Sequence, residues 1–363
     1  MHLLPKTPSL TISLLVFTFC LFPRTYAQKD SSGFVIFPVL ARSIETGWSV
    51  GAASSVTFHF KDKEHKTRTS NIQGISIYST HRQFVVALNG SIYFPSERFI
   101  LNQQLSYSYF PDKFWGLGKT APDSNREDYS YHQYYIYLHP QLLLSNSLFL
   151  GLVYEYQNVA DTRYDSGGLF VKENVVGRDG YHVSGLGLSI TYDNRNNAFA
   201  PDQGMLLQFY FNHFAPAFAS EYTYTNFVFD IRKFIRLYRE QVLALQVYGF
   251  FNAGQVPLRS LASLGGANEM RGYYAGRFRD KNLYVVQGEF RTPLFWKIGA
   301  VGFGDIGNVG SDIGGMNFKD LKYSFGGGLR FAINRSERLN LRIDYGIGGQ
   351  KANGFYVQLG EAF

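Results

Sequence analysis

Leu339-Asn340-Leu341-Arg342-Ile343-Asp344-Tyr345 sets Leu339, Leu341, Ile343 and Tyr345 on one side of an extended chain and Asn340, Arg342 and Asp344 on the other. Side chains alternate faces along a strand, so this period of two marks a segment with two different surroundings. Upstream, Tyr284 to Leu294 repeats it, with Val286, Phe290 and Leu294 against Gln287, Glu289 and Arg291. In Phe325 to Ile333, Leu329 and Phe331 oppose Gly326, Gly328 and Arg330. One face is apolar along its whole length and the other polar along its whole length. That suits hydrocarbon outside and a wet lumen inside, the pattern of a transmembrane antiparallel β-barrel.

Extended in this way, the reading gives strands near 33–41, 47–60, 70–79, 83–94, 99–110, 131–143, 148–158, 183–194, 204–214, 222–236, 241–253, 282–294, 296–308, 322–333, 338–346 and 354–363. These are sixteen, an even number, as a single-chain bacterial barrel requires. The long gaps 111–130, 159–182, 254–281 and 309–321 all fall on one side, opposite short turns such as Pro95-Ser96-Glu97-Arg98. Two connections depart from that rule: 61–69 is long for its side and 42–46 is short. If the chain starts in the periplasm, the long gaps are external loops.

Composition supports export. Leu10 to Phe22 is a short apolar run behind Lys6, followed by Thr25-Tyr26-Ala27. A membrane helix needs about 20 apolar residues, so segment 1–27 reads as a removed signal peptide, with 28–363 as one outer-membrane barrel domain. Only Gln28 to Ser32 separates that cleavage point from the first strand, which leaves no room there for a soluble domain. The sole cysteine, Cys20, lies within the signal, so stability must come without disulfides. Removing Lys6 and Arg24 leaves 33 basic against 28 acidic residues, a net charge of +5. The excess is scattered, its only dense cluster being Lys61 to Lys66, where acids alternate, so nucleic acid is not an expected partner. With 33 Phe and 26 Tyr, the chain has the rings that barrels place at both bilayer interfaces.

Catalytic chemistry is not evident. No Gly-x-Ser-x-Gly elbow is present, and His59, His65, His81, His132, His139, His182 and His213 are dispersed, without the spacing of a metal site. Gly326-Gly327-Gly328 lies inside a strand with no following helix, so it cradles no phosphate. Neither a metal, a cofactor nor an enzymatic activity is expected. A rim site assembled from distant strands would escape this reading.

The chain ends Phe355-Tyr356-Val357-Gln358-Leu359-Gly360-Glu361-Ala362-Phe363. Phe355, Val357 and Leu359 alternate outward and Phe363 closes the chain. An aromatic-ended last strand resembles the signal by which outer-membrane barrels are recognised for insertion, and that reading is preferred to an ordinary edge strand.

Further motifs resemble the outer-membrane assembly and secretion superfamily, the BamA/TamA-type barrels or bacterial surface antigens. Met270-Arg271-Gly272-Tyr273, after Leu264-Gly265-Gly266, is similar to the family's Val-Arg-Gly-aromatic signature in its long sixth external loop. Gly288-Glu289-Phe290-Arg291 and Phe303-Gly304-Asp305-Ile306-Gly307 look like two of its strands. Asp193-Asn194-Arg195, then Phe199, Pro201 and Gly204, resembles its Asp-x-Arg…Pro-x-x-Gly turn, and Phe37-Pro38…Glu45-Thr46-Gly47 its opening hairpin.

The resemblance implies a sixteen-stranded barrel whose sixth loop folds into the lumen as a lid, with Arg271 meeting Glu289 and Asp305 on the wall. It also bears on the seam between the first strand, around Phe37 and Pro38, and the last, around Val357 and Gly360. Pro38 cannot donate a ladder hydrogen bond, and Gly354 and Gly360 pack poorly. Residues alone fit equally an ordinary seam with a proline bulge or a weak one; the resemblance favours a gate that opens sideways. Insertion or translocation of proteins, or of lipids, with client outer-membrane proteins, outer-membrane lipid and a separate periplasmic delivery or envelope-complex partner, is then the expected function. Family members usually carry periplasmic polypeptide-transport domains, and none is read here. A passive pore or structural accessory subunit is the alternative.

Overall fold

The computed structural model describes residues 33–60, 67–316, 320–334 and 338–363. The signal segment 1–27 and the Lys61–Lys66 cluster lie outside them. Sixteen strands among the described residues close into one antiparallel barrel, each hydrogen-bonded to its neighbours in chain order and the first meeting the last. They are β1 (Gly33–Ser43), β2 (Gly47–Phe58), β3 (Ser70–Ser79), β4 (Phe84–Tyr93), β5 (Phe99–Phe114), β6 (Glu127–Ser145), β7 (Leu148–Arg163) and β8 (Tyr181–Asp193) in the first half. The second half holds β9 (Gly204–Phe214), β10 (Tyr224–Arg236), β11 (Val242–Gly254), β14 (Asn282–Phe295), β15 (Ile298–Gly310), β16 (Lys322–Asn334), β17 (Leu339–Gly348) and β18 (Asn353–Leu359). Two short strands, β12 (Ala262–Leu264) and β13 (Phe278–Asp280), pair with each other inside the connection 255–281.

Burial follows the alternation. Val286, Phe290 and Leu294 are exposed on the outer face of β14, while Gln287, Glu289 and Arg291 are buried inside. Tyr345 is exposed on β17 and Arg342 and Asp344 are buried. The outer surface is thus apolar and the lumen carries the charge, as a barrel in hydrocarbon must. Pro293, which has no N–H to give the ladder, stands at the register shift between Pro293 and Phe295.

Strand ends depart most from the sequence reading in β5 to β7, where β7 runs to Arg163 and not 158, and in the last strand. The β5–β6 ladder runs past 110 to Phe114 opposite Glu127. The sequence reading puts residues 111–130 in a long gap, but inward Phe114, Tyr129 and Tyr131 pack with Phe170 of the connection 164–180, and that burial prolongs the hairpin. At the other terminus, β18 stops at Leu359 rather than 363. Gly360 takes φ +85°, a turn that glycine makes without strain. The tail then folds into the barrel, where Phe363 packs with Phe234 and Ala244.

Both described ends of the chain, Gly33 and Phe363, fall at the same rim, here the turn end; the opposite rim is the loop end. The sixth loop-end connection is 255–281, longer than any other between described strands.

Candidate functional site

The tip of this sixth loop lies against the inner faces of β14, β15, β17 and β18. Met270 is buried at φ +53°, and Gly272 at φ +113°, so the chain turns sharply on either side of Arg271. Arg271 itself has no exposed surface. Its guanidinium pairs with Glu289 Oε1 at 2.6 Å and donates from Nη1 to Asp344 Oδ2 at 2.8 Å. Phe303 supports it from one side, with the guanidinium carbon 3.5 Å from the ring centroid. A planar cation held by two carboxylates and a ring face fixes orientation better than a point charge would.

Asp305 meets Arg271 at its backbone and not at the guanidinium. It faces inward and is buried beside the Arg271 backbone, but its Oδ2 accepts the Ser324 hydroxyl at 2.9 Å. The second acid on the guanidinium is Asp344 of β17, which the motif comparison did not single out. Arg330 and Arg342 also approach Asp344, and Arg291 binds Glu289 at 2.8 Å, so the acids sit in a network of cations.

Backbone contact completes the seat. A Cβ added at Gly346 would lie 2.5 Å from the carbonyl carbon and oxygen of Arg271. Beside it, the Gly349 N–H donates to the Tyr273 hydroxyl at 2.6 Å, and the Gly272 N–H donates to the Tyr356 hydroxyl of β18 at 3.0 Å. Glycines on the inner face of β17 therefore form the groove in which Arg271 to Tyr273 rest. Further along, Tyr274 and Arg279 bind Asp112 of β5, at 3.0 and 3.1 Å, so the loop reaches the opposite wall.

The seam is thin. β1 and β18 pair at one position, Arg42 with Val357. Seven pairs join β17 to β18 and eleven join β1 to β2. The expected juxtaposition of Phe37 with Val357 is corrected by this register: Phe37 pairs only with Ala53 of β2, five residues from the seam contact. Because β18 ends at Leu359, the stretch from Gly33 through Pro38 has no β18 partner, and Phe34 and Ile36 are exposed. Phe355, Val357 and Leu359 alternate toward the outside as expected, whereas Phe363 is buried in the tail.

The tail is held by charge. Arg330 Nε donates to Glu361 at 2.6 Å, and Arg291 Nη2 donates to the Phe363 oxygen at 3.1 Å. Burial pushes the Glu361 carboxyl up, but Arg291 and Arg330 outweigh it and hold the group below its ordinary range. At the same rim, Arg68 binds Glu97 at 2.8 Å and reaches Asp193 at 2.7 Å, and Arg195 pairs with Asp193 at 2.9 Å. Asp202 takes Arg236 and Arg338, so the turn 194–203 is tied to the ends of β10 and of the β16–β17 connection. Gly204, at φ +98°, closes that turn, since a Cβ there would meet the Asn194 oxygen at 2.4 Å.

An apolar exterior, an ionised interior and a closed ring of strands define an integral membrane β-barrel, and that build points to the bacterial outer membrane. Residues 86–363 match the Omp85 superfamily domain, and the chain belongs to that superfamily. Among curated proteins none matches it. Among solved structures, it is similar to BamA from Haemophilus ducreyi lacking POTRA domains 1–3, with TM-score 0.58 and 14% identity over 91% of this chain and 70% of that one. CdiB from Acinetobacter baumannii gives TM-score 0.55 and 12% identity over 90% of this chain and 65% of that one. CdiB from Escherichia coli gives 0.56 and 12% over 91% and 67%. At these identities the likeness is one of fold.

Proposed function

We propose that this barrel assists insertion or translocation of proteins at the outer membrane, through the seam between β1 and β18 and without catalysing a covalent reaction. The single backbone pair at Arg42–Val357 carries the reading. An unpaired strand edge offers N–H and C=O groups to an incoming strand, so client pairing supplies the free energy and no nucleotide is needed. Below the pair, Gly33 to Pro38 presents such an edge toward the turn end, which this reading places at the periplasm. The tail of the chain, 360–363, curls away into the lumen and leaves that edge uncovered. Sequence identity to BamA and CdiB is too low to transfer their clients or partners.

A passive pore fits less well. Sixth-loop residues Met270 to Tyr273 are buried against the wall, so the loop acts as a lid and Arg271 holds it. Below the loop a polar cavity of about 540 Å³ remains, lined by Gln104, Gln133, Tyr135, Glu155 and Asn226 among others. Phe355, Val357, Leu359 and Phe363 serve as the insertion signal before folding, when Phe363 is still accessible.

The test uses cysteines at Arg42 and Val357. Directly opposed residues of antiparallel strands lie about 4.5–5.5 Å apart, within disulfide reach. In cells depleted of the native chain, the oxidised pair is expected to lower outer-membrane protein levels several-fold, and reduction to restore them. Unchanged levels and growth under oxidation would remove the gate.

A further inference from the structure

Residues 272 to 275 of the sixth loop lie across the seam. On the β18 side, the Gly272 N–H donates to the Tyr356 hydroxyl at 3.0 Å, and that hydroxyl in turn lies 3.4 Å from the Tyr273 carbonyl oxygen. On the β1–β2 side, the Ala275 N–H donates to Glu45 Oε1 at 2.8 Å. Glu45 stands in the connection 44–46, is buried, and is positioned by its own turn: its backbone N–H donates to the Ser43 hydroxyl at 3.2 Å. Its carbonyl accepts His81 at 2.7 Å and Gln83 at 3.1 Å, which fixes the turn to the next hairpin.

Geometry agrees with a crossing. Neighbouring strands are about 4.8 Å apart, and three residues of extended chain cover about 10 Å. Outside the barrel the same level is clasped by Arg42, whose guanidinium lies 5.3 Å from the Trp48 ring centroid and 6.0 Å from that of Phe355 on β18.

We infer that residues 272–275 are an inner strap across the seam, fastened to Tyr356 on the β18 side and to Glu45 on the β1–β2 side, beside its bonds to Gly349 and Asp112, and that it reinforces the single ladder pair found there among the described residues. The strap rests on the reading of the seam as a gate. It makes the lid and the gate one device: the loop cannot stay fastened at both points while β1 and β18 separate. Loss of either bond loosens the strap at the seam while Arg271 remains on Glu289 and Asp344. Glu45 is thus a positioning residue of the gate, acting through hydrogen bonding rather than through contact with a client.

Distance measurements across the seam test this. Spin labels at Val50→Cys on β2 and Ile347→Cys on β17, both on the outer face, flank it in the full chain in lipid nanodiscs. One short distance is expected for the native fastening. Glu45→Ala and Tyr356→Phe should each raise the long-distance fraction at least threefold, while Glu45→Gln, which keeps an acceptor oxygen, should stay as the parent. Tyr356→Phe removes one oxygen without altering ring packing, and a heat-modifiable gel shift confirms that each variant is folded. Identical distance distributions in all variants would overturn the strap. That failure would leave the outcome of the Arg42–Val357 crosslink untouched, because the crosslink reads client assembly and the labels read fastening alone.

Discussion

Arg271→Ala is expected to destabilise the folded barrel by about 3 kcal/mol and to raise its conductance in planar bilayers. Removing one member of a buried ion pair costs roughly 3–5 kcal/mol, because the partner charge stays behind without compensation. The lower end applies here. Glu289 keeps Arg291 at 2.8 Å, and Asp344 keeps Arg330, so neither acid is abandoned. Arg271→Lys should fall between the two, since an ammonium cannot span both carboxylates and also lie flat on Phe303. Urea titration of refolding into vesicles measures the first effect and single-channel recording the second. Equal stability and equal conductance in Arg271→Ala and the parent would mean that Arg271 holds no lid.

Gly346→Val is expected to act more severely on the loop than loss of the arginine. The new Cβ would stand 2.5 Å from the Arg271 carbonyl, and neither backbone has a flexible end that can yield. The tip must then leave the β17 groove, taking with it the Arg271 pairs, the Tyr273–Gly349 bond and the Gly272–Tyr356 bond. Limited proteolysis of intact barrels in vesicles checks this. Cleavage within 255–281 should become at least tenfold faster in Gly346→Val, with the strands still resistant. Unchanged protection of the loop would show that the close approach at Gly346 is not what seats it.

Much of the wall was legible because its pattern is local. Each of Val286/Gln287, Phe290/Glu289 and Leu294/Arg291 states its face through hydropathy alone, and in a barrel the two faces meet different solvents. The lengths of 61–69 and 42–46, which broke the alternation of long and short connections, did not displace the strand count. Register within hairpins is fixed by the turns that join the strands. No turn joins β1 to β18. Their register depends on the stagger accumulated around the whole ring, so the motif could place Phe37 near the seam but could not find Arg42 opposite Val357.

The same division explains the lid. Arg271 was visible as a cation in a glycine-rich loop, and Glu289 as an inward acid. Asp344 was equally visible as inward, yet choosing between it and Asp305 requires knowing how deep the tip descends. Gly346 ends the expected strand and Gly348 lies past it, and only the loop packed onto them reveals the close approach they allow. The tail was misplaced for a related reason. Outward Phe355, Val357 and Leu359 promised a strand to the terminus, but Gly360 turns it and Arg291 and Arg330 draw Glu361 and Phe363 inside.

Backbone hydrogen exchange, resolved by peptide, of the full chain in lipid nanodiscs tests the weakness of the seam most directly. Amides of Gly33 to Leu40 and of β18 are expected to exchange at least a hundredfold faster than those of β15 and β16, whose ladders run ten or more pairs on each side. Protection of β1 and β18 equal to that of β15 and β16 would contradict a wall built to part between its first and last strands.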